Sequence, residues 1–396
     1  MVLITVLCGN STSIYEEKQN TKKMMFKNIP LSLLLLGAAI STTIALAAQE
    51  ENVCSEDEKT GCDRVPSGTI VITGANKGIG LETVILLARG QHFAKYILTV
   101  RSAKKGDSAI RLASEASSQP ASLFSYIVMD LENTASVVDA VAKLPSNINA
   151  LVMNAGSLGI GNEKTEDGVT GEFARITLGH AVLLEGLFSK NKISQSGARI
   201  VFSGSEMARP VWAMTGFQAW PVIEKGKLAS YMHSPPEKGT WGIAVRKMHA
   251  VYGSAKTIGG LWLSKLAKER KNVYFATVSP GGSLDTDAMR NSVEPLRTIA
   301  SSPFFGSIFR LMGADHSKGE CAKRYVAALT EEDFPTRFPS GSVLGSPSSF
   351  IPFYVGAAGP LTDQKDIYPI YEDADLQEEA ANAVRAKVAE AVARVR

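Results

Sequence analysis

Tyr252 and Lys256 stand four residues apart in the run Tyr252-Gly253-Ser254-Ala255-Lys256. On a helix that spacing puts both side chains on one face. A phenol has a pKa of about 10, and a nearby ammonium favours the phenolate, so such a pair can hand a proton to a developing alkoxide. Lys256 is equally suited to hold ribose hydroxyls. Ser205, in Phe202-Ser203-Gly204-Ser205, offers a hydroxyl for a substrate oxygen; Ser203 competes with it, and the register of the Arg199-Ile200-Val201 strand favours Ser205. Taken alone, a Tyr and a Lys four apart are most often a surface pair, so their chemistry depends on what the chain brings beside them.

Far upstream lies Thr73-Gly74-Ala75-Asn76-Lys77-Gly78-Ile79-Gly80, directly after the β-branched run Thr69-Ile70-Val71-Ile72. Gly74 lets the chain turn sharply, and Gly78 and Gly80 let backbone approach a pyrophosphate at the start of the following helix. The spacing is G-x-x-x-G-x-G. Arg101 closes the second expected strand, where an adenosine ribose would lie. An acidic residue there would bind a free 2′-hydroxyl, whereas an Arg accommodates a 2′-phosphate; Lys77 adds a second cation. NADP(H) is therefore expected in preference to NAD(H). The glycine loop together with Tyr252 and Lys256 implies hydride transfer.

The elements that must position these residues alternate. Strands are expected at 69–73, 96–100, 123–129, 150–153, 199–203 and 273–278. Helices are expected at 81–89, from the residues after Arg101 to about 118, and at 134–143, 173–190 and 251–269. Strands separated by helices of this length mean right-handed crossovers and a parallel sheet covered on both faces. The fold class is α/β, a Rossmann-type doubly wound sheet in one domain over 68–396. Residues 206–250 interrupt the rhythm with Trp212, Trp220, Trp241, Pro210, Pro221, Pro235 and Pro236, and read as an ordered insertion before Tyr252. The tail after about Thr286 ends in an amphipathic helix at 375–395, suited to packing or oligomer contact.

Thr73 to Gly80, Asp130-Leu131, Asn154-Ala155-Gly156, Ser205, Tyr252 to Lys256 and Pro280-Gly281 together resemble the ordered motifs of the short-chain dehydrogenase/reductase family, over about residues 68–290. The resemblance implies a cofactor site built from Thr73, Gly74, Asn76, Lys77, Gly78, Ile79, Gly80, Arg101, Asp130, Leu131, Asn154, Ala155, Gly156, Tyr252, Lys256, Pro280 and Gly281. Within it Asp130 would meet the adenine, Asn154-Ala155-Gly156 would steady the central sheet, and Pro280-Gly281 would approach the nicotinamide. Asp167-Gly168, Phe173, Leu178-Gly179-His180 and, more weakly, Gly319-Glu320 to Leu329 resemble the retinol dehydrogenase and light-dependent protochlorophyllide reductase branch. The family's pattern is broken at Ile176, where an Asn usually holds a water in the proton relay, and at Met153, where a second Asn often stands. The relay is then shortened, taken over by Thr177 or a water, or absent. Members tend to form dimers or tetramers through the helices corresponding to those of His180 and Tyr252; the insertion could block that face, so a homodimer and a monomer both fit.

Lys+Arg 42 against Asp+Glu 39 gives a net charge of +3, and no basic stripe with interleaved aromatics marks a nucleic-acid partner. Residues 30–48 are apolar or small, with Lys22, Lys23 and Lys27 upstream and Ala45-Leu46-Ala47 at the exit. This is the layout of a secretory signal over 1–48, cleaved or kept as a membrane anchor, with Met24 or Met25 as alternative starts. The secretory pathway or endoplasmic reticulum is the expected location, a plastid or other organelle the alternative. Residues 49–67 read as a polar linker. In it Cys54 and Cys62 fit a small disulfide and two unpaired thiols equally well. His180, His233 and His249 lack metal-ligand spacing on one helix face, so no metal site is expected.

These residues point to an NADP(H)-dependent oxidoreductase interconverting an alcohol and a carbonyl on an apolar small molecule, with Ser205, Tyr252 and Lys256 as the catalytic set. The rival enzyme reading is reduction of a carbon–carbon double bond, with Tyr252 protonating carbon. The rival from another class is an NADP(H)-binding sensor or scaffold without turnover.

Overall fold

The computed structural model describes residues 67–157, 163–208, 211–212, 219–220, 223–234, 243–282, 316–347 and 359–396. The expected leader, the linker up to residue 66, Cys54, Cys62 and Trp241 lie outside the described residues, as does much of the insertion. Residues 66–396 form one compact unit. Among the described residues no helix is long and apolar enough to cross a membrane.

Strand β1 (Thr69–Thr73) turns through the glycine loop into helix α1 (Gly78–Arg89). Then follow β2 (Lys95–Val100), α2 (Ala103–Ser117), β3 (Phe124–Val128), α3 (Thr134–Lys143) and β4 (Ile148–Met153). A helical start at Gly171–Phe173 passes through a π-helical turn, Ala174–Leu178, into α4 (Gly179–Ser189), and β5 (Ala198–Ser203) follows. The insertion holds a two-stranded ribbon, β6 (Val211–Trp212) with β7 (Ala219–Trp220), and the short α5 (Leu228–Tyr231). Helix α6 (Ile243–Glu269) carries the Tyr252 run and starts eight residues before the expected 251, inside the expected insertion. It leads to β8 (Val273–Val278). After residues 283–315, which lie outside the described residues, come α7 (Lys318–Thr330), α8 (Phe334–Arg337), β9 (Val343–Gly345), β10 (Thr362–Asp363) and α9 (Ala374–Val395).

The sheet order is β10-β9-β8-β5-β4-β1-β2-β3. All pairs are parallel except β9 with β10, so the fold is the expected doubly wound layer with one antiparallel edge. β1 is buried on both faces: Ile70 and Ile72 enter one core and Val71 the other. That is why its sequence is a continuous apolar run rather than an alternation. The Ile70 side is covered by α1, α2 and α7, the Val71 side by α3, α4, α6 and α9. Strand order reverses between β1 and β4, and a crevice must open there at the carboxyl ends of the strands.

Two caps show how local sequence sets this frame. Ser317 and Glu320 make an S-x-x-E start to α7, with Ser317 Oγ accepting from Glu320 N at 3.2 Å. Asp373 accepts from Asp375 N and Leu376 N at the start of α9. Helix α9 packs on α3, α4, α5 and α6 and is tied to α6 by ion pairs from Glu378 to Lys265 and from Arg385 to Glu269. The outer face of α4 and α6, which the family resemblance marks for oligomer contact, is thus covered by the chain's own C-terminal helix. The insertion was the element expected to block it; of its described parts α5 packs on both α6 and α9.

Candidate active site

The glycine loop is shaped by close approach rather than by hydrogen bonds alone. Gly74 has φ +64°, and a Cβ there would come within 3.0 Å of Ala155 Cβ. A Cβ on Gly80 would lie 2.5 Å from Asn154 Nδ2 and 2.8 Å from Gly74 O. Any larger residue would push the loop off β4. No side chain caps α1 and its first turn carries no carboxylate, which leaves its N-terminal N–H groups suited to an anion.

Thr73 and Asn154 then lock this loop to the neighbouring strand. Asn154 Nδ2 donates to Thr73 O at 2.9 Å, and Ala155 N donates to Thr73 Oγ1 at 2.9 Å. His180, fully buried on α4, places Nε2 2.8 Å from Thr73 Oγ1 and Nδ1 2.8 Å from Ile176 O. A carbonyl can only accept, so Nδ1 carries the proton and Nε2 receives the Thr73 hydroxyl hydrogen. Burial pulls this imidazole down to about 3, keeping it neutral. His180 is a structural clasp. His233, the second expected non-ligand, holds Gly168 O at 2.9 Å through Nδ1, and His249's side chain lies outside the described residues.

A cleft of about 350 Å³ opens at the β1/β4 reversal. Gly74, Asn76, Lys77, Gly78 and Ile79 line one part, Arg101, Asp130 and Leu131 the outer end, Asn154, Ala155 and Gly156 the floor. Ser205, Tyr252, Lys256, Pro280 and Gly281 close the inner end. Of the residues expected at a cofactor, Thr73 and Gly80 alone do not line it. Both lie behind the loop, where packing against β4 uses them. Arg101 is exposed at the end of β2, as an arm reaching a ribose phosphate requires. The glycine cradle, the uncapped helix end and a cleft running from Arg101 to Tyr252 fit a dinucleotide phosphate cofactor.

At the inner end the Tyr252 phenol and the Ser205 hydroxyl lie in the same part of the cleft. Ser203 is engaged elsewhere: its Oγ accepts from Tyr325 of α7 at 2.8 Å. Lys256 Nζ donates to Ser203 O at 2.6 Å and lies 5.6 Å from the Tyr252 ring centre. The lowered phenol pKa expected from Lys256 is not what this arrangement produces. Burial, helped by the charge of Glu206, pushes the Tyr252 phenol up to about 12 against the opposing influence of the Ser205 hydroxyl. Burial also pulls Lys256 down to about 7, which weakens the ammonium that was to do the lowering.

The π-helical turn explains the Ile176 departure. Ile176 is fully buried in the core between β4 and α4, and a Cβ on Gly156 would sit 3.5 Å from its Cγ1. Thr177 does not replace the usual Asn, because its Oγ1 donates to Ala255 O at 2.8 Å. π-turns of this kind cluster at functional sites, since they re-aim one residue of a helix.

Two groups went unseen in the sequence. Arg175, on the same turn, lines the cleft and pairs with Glu132 at 2.8 Å and Glu172 at 3.2 Å. Tyr325 reaches the site from a helix far along the chain. Neither carries a motif; only the π-turn and the α7 crossover bring them in.

The family model for short chain dehydrogenases matches residues 68–217, the span that holds the glycine loop, the Asn154 floor and Ser205. The chain belongs to the short-chain dehydrogenase/reductase family. It is 29% identical over 231 residues to the WW domain-containing oxidoreductase of Drosophila melanogaster, covering 56% of this chain and 51% of that one. It is 31% identical over 134 residues to human retinol dehydrogenase 13, covering 33% and 39%. A chloroplastic short-chain dehydrogenase, TIC 32 B of Brassica napus, is 25% identical over 243 residues, covering 60% and 70%. The chain spans about half the length of the first curated relatives it matches. A crystal structure of an uncharacterised protein from Mycobacterium paratuberculosis aligns with 81% of this short-chain dehydrogenase/reductase and 96% of its own chain, at TM-score 0.52 and 20% identity, a likeness of fold.

Proposed function

We propose that this chain is an NADP(H)-dependent oxidoreductase that reduces a carbonyl on an apolar small molecule. The observation that carries the reading is that Ser205, Tyr252 and Lys256 line the inner end of one cleft whose outer end is Arg101. The cofactor supplies the hydride when bound. Ser205 holds the substrate oxygen and polarises it, and Tyr252 delivers the proton as that oxygen gains charge. A phenol pushed up to about 12 stays protonated at neutral pH and is still a stronger acid than an alcohol, the form that proton donation to a carbonyl oxygen needs. Lys256, anchored by Ser203 O, stands beside Tyr252 where ribose hydroxyls would lie. Arg101 and Lys77 support the 2′-phosphate preference. The apolar substrate is inferred from the Trp-rich insertion and from the similarity to a protein named retinol dehydrogenase.

The test is NADPH oxidation by the purified chain with retinal, medium-chain aldehydes and simple ketones, with Tyr252→Phe alongside. Tyr252-dependent turnover supports the reading. NADPH binding without turnover on any carbonyl would favour the sensor reading, and turnover on an enone without its saturated ketone would favour carbon–carbon reduction. The basic-apolar-small pattern of 1–48 supports entry to the secretory pathway; N-terminal sequencing of the mature chain beginning before residue 30 would refute cleavage there.

A further inference from the structure

A buried ion pair lies directly behind Ser205. Glu206, the next residue, is 5% exposed, and Arg324 of α7 is 7% exposed, with Nη1 3.6 Å from Glu206 Oε1. Buried pairs of this kind are weak contributors to stability compared with apolar residues of the same volume, so the question is what this one holds. Glu206 Oε2 accepts from Ser279 Oγ at 2.5 Å, and Oε1 accepts from Ser346 N at 3.0 Å and Ser346 Oγ at 2.9 Å. Arg324 donates to Ser279 O at 3.0 Å, Ser346 Oγ at 2.9 Å and Gly359 O at 2.6 Å, and its Nη2 lies 3.1 Å from His316 Nε2. Both charges therefore grip the same residue, Ser279: the carboxylate takes its hydroxyl and the guanidinium its carbonyl.

Ser279 is the hinge into Pro280 and Gly281, which line the cleft opposite Tyr252, and Gly281 N donates to Ser279 Oγ at 3.2 Å. We propose that Glu206 and Arg324 are positioning residues that clamp the Ser279-Pro280-Gly281 turn to the Ser205 turn. The hydroxyl that receives the substrate oxygen and the inner wall of the cofactor cleft then move as one body. The clamp rests on the NADP(H) reading above. It acts at the inner end of the cleft and leaves the Arg101 end untouched. Hydride transfer needs reacting atoms held to within a fraction of an ångström, which is a use for two rigid, charge-assisted contacts that stability alone does not supply.

The test is calorimetric binding of NADPH and of 2′,5′-ADP, which carries the phosphorylated adenosine end alone, to the full chain and to Glu206→Gln and Ser279→Ala. The clamp predicts that NADPH affinity falls roughly tenfold or more in both variants, the worth of a lost charge-assisted hydrogen bond, while 2′,5′-ADP binding stays within about twofold. Ser279→Ala removes one hydroxyl and leaves the ion pair in place, so it carries the test if Glu206→Gln does not fold. Equal loss of both ligands, as a merely structural role would give, or unchanged NADPH affinity overturns the clamp. A parent chain that binds neither ligand refutes the NADP(H) reading itself and the clamp with it.

Discussion

Tyr325 donates its phenolic hydrogen to Ser203 Oγ at 2.8 Å, and this single contact separates two serines that stand two residues apart. Ser203 is a buried structural acceptor at the end of β5; Ser205 is left facing Tyr252 in the cleft. Ser205→Ala is expected to lower turnover by about a hundredfold with NADPH binding retained, the usual size for removing one donor to a developing oxyanion. Ser203→Ala is expected to cost about 1–3 kcal/mol of stability by orphaning the Tyr325 hydroxyl, with turnover changed only a few-fold. Urea unfolding and steady-state kinetics on the two variants check this, and the reverse ranking would return Ser203 to the catalytic role.

Arg101 is exposed at the rim of the cleft and belongs to no described ion pair. Arg101→Asp is expected to swing the NADPH-to-NADH ratio of kcat/KM roughly ten- to hundredfold toward NADH, since a carboxylate repels a 2′-phosphate and accepts from a 2′-hydroxyl. An unchanged ratio removes Arg101 from the cofactor site.

Ile176 fills core space behind Gly156, so restoring the family's Asn there is not a simple repair. Ile176→Asn is expected to destabilise the chain by about 2–4 kcal/mol, because a polar amide replaces apolar contacts in a fully buried core position. Ile176→Val should cost only about 1 kcal/mol. Denaturant midpoints distinguish these, and an Asn variant as stable as Val would show that a water or side chain already waits to pair with it.

His180, held near 3 by burial, should make folding acid-sensitive. An unfolded imidazole titrates near 6.5, so below that pH the unfolded chain takes up a proton that the folded chain refuses. Stability therefore falls as pH drops from about 6.5 toward about 3, by about 2 kcal/mol at pH 5. Lys256, pulled down to about 7, acts mostly in a higher window, adding stability as pH rises from there toward about 10.5. The check is unfolding free energy of the parent and His180→Gln between pH 7 and 5. The variant should start lower and fall less, and parallel curves would reject a neutral, buried His180.

The parallel sheet was legible because β1, β5 and β8 are short apolar runs buried on both faces, and a helix separates each strand from the next. Asn76, Lys77 and Gly78 were legible as well, because a phosphate-binding turn needs glycine at set positions. β9, β10 and α7 were not. Their pairing to β8 and α1 brings together segments far apart in the chain, which no local pattern encodes.

The amino-acid order by itself determined which residue types stand at the ends of the strands, and so the class of chemistry to expect: a glycine turn from Gly74 to Gly80 suited to a phosphate, Tyr252 and Lys256 on one face of a helix. Only the tertiary structure decided what surrounds them. Glu206 sits behind Ser205 with Arg324 on it, Tyr325 occupies Ser203, α9 covers α4 and α6, and burial raises Tyr252 where Lys256 was expected to lower it. The reason is physical. Spacing along a strand or helix is a local property, whereas desolvation and charge pairing depend on neighbours that are distant in the chain and meet only when the cores close.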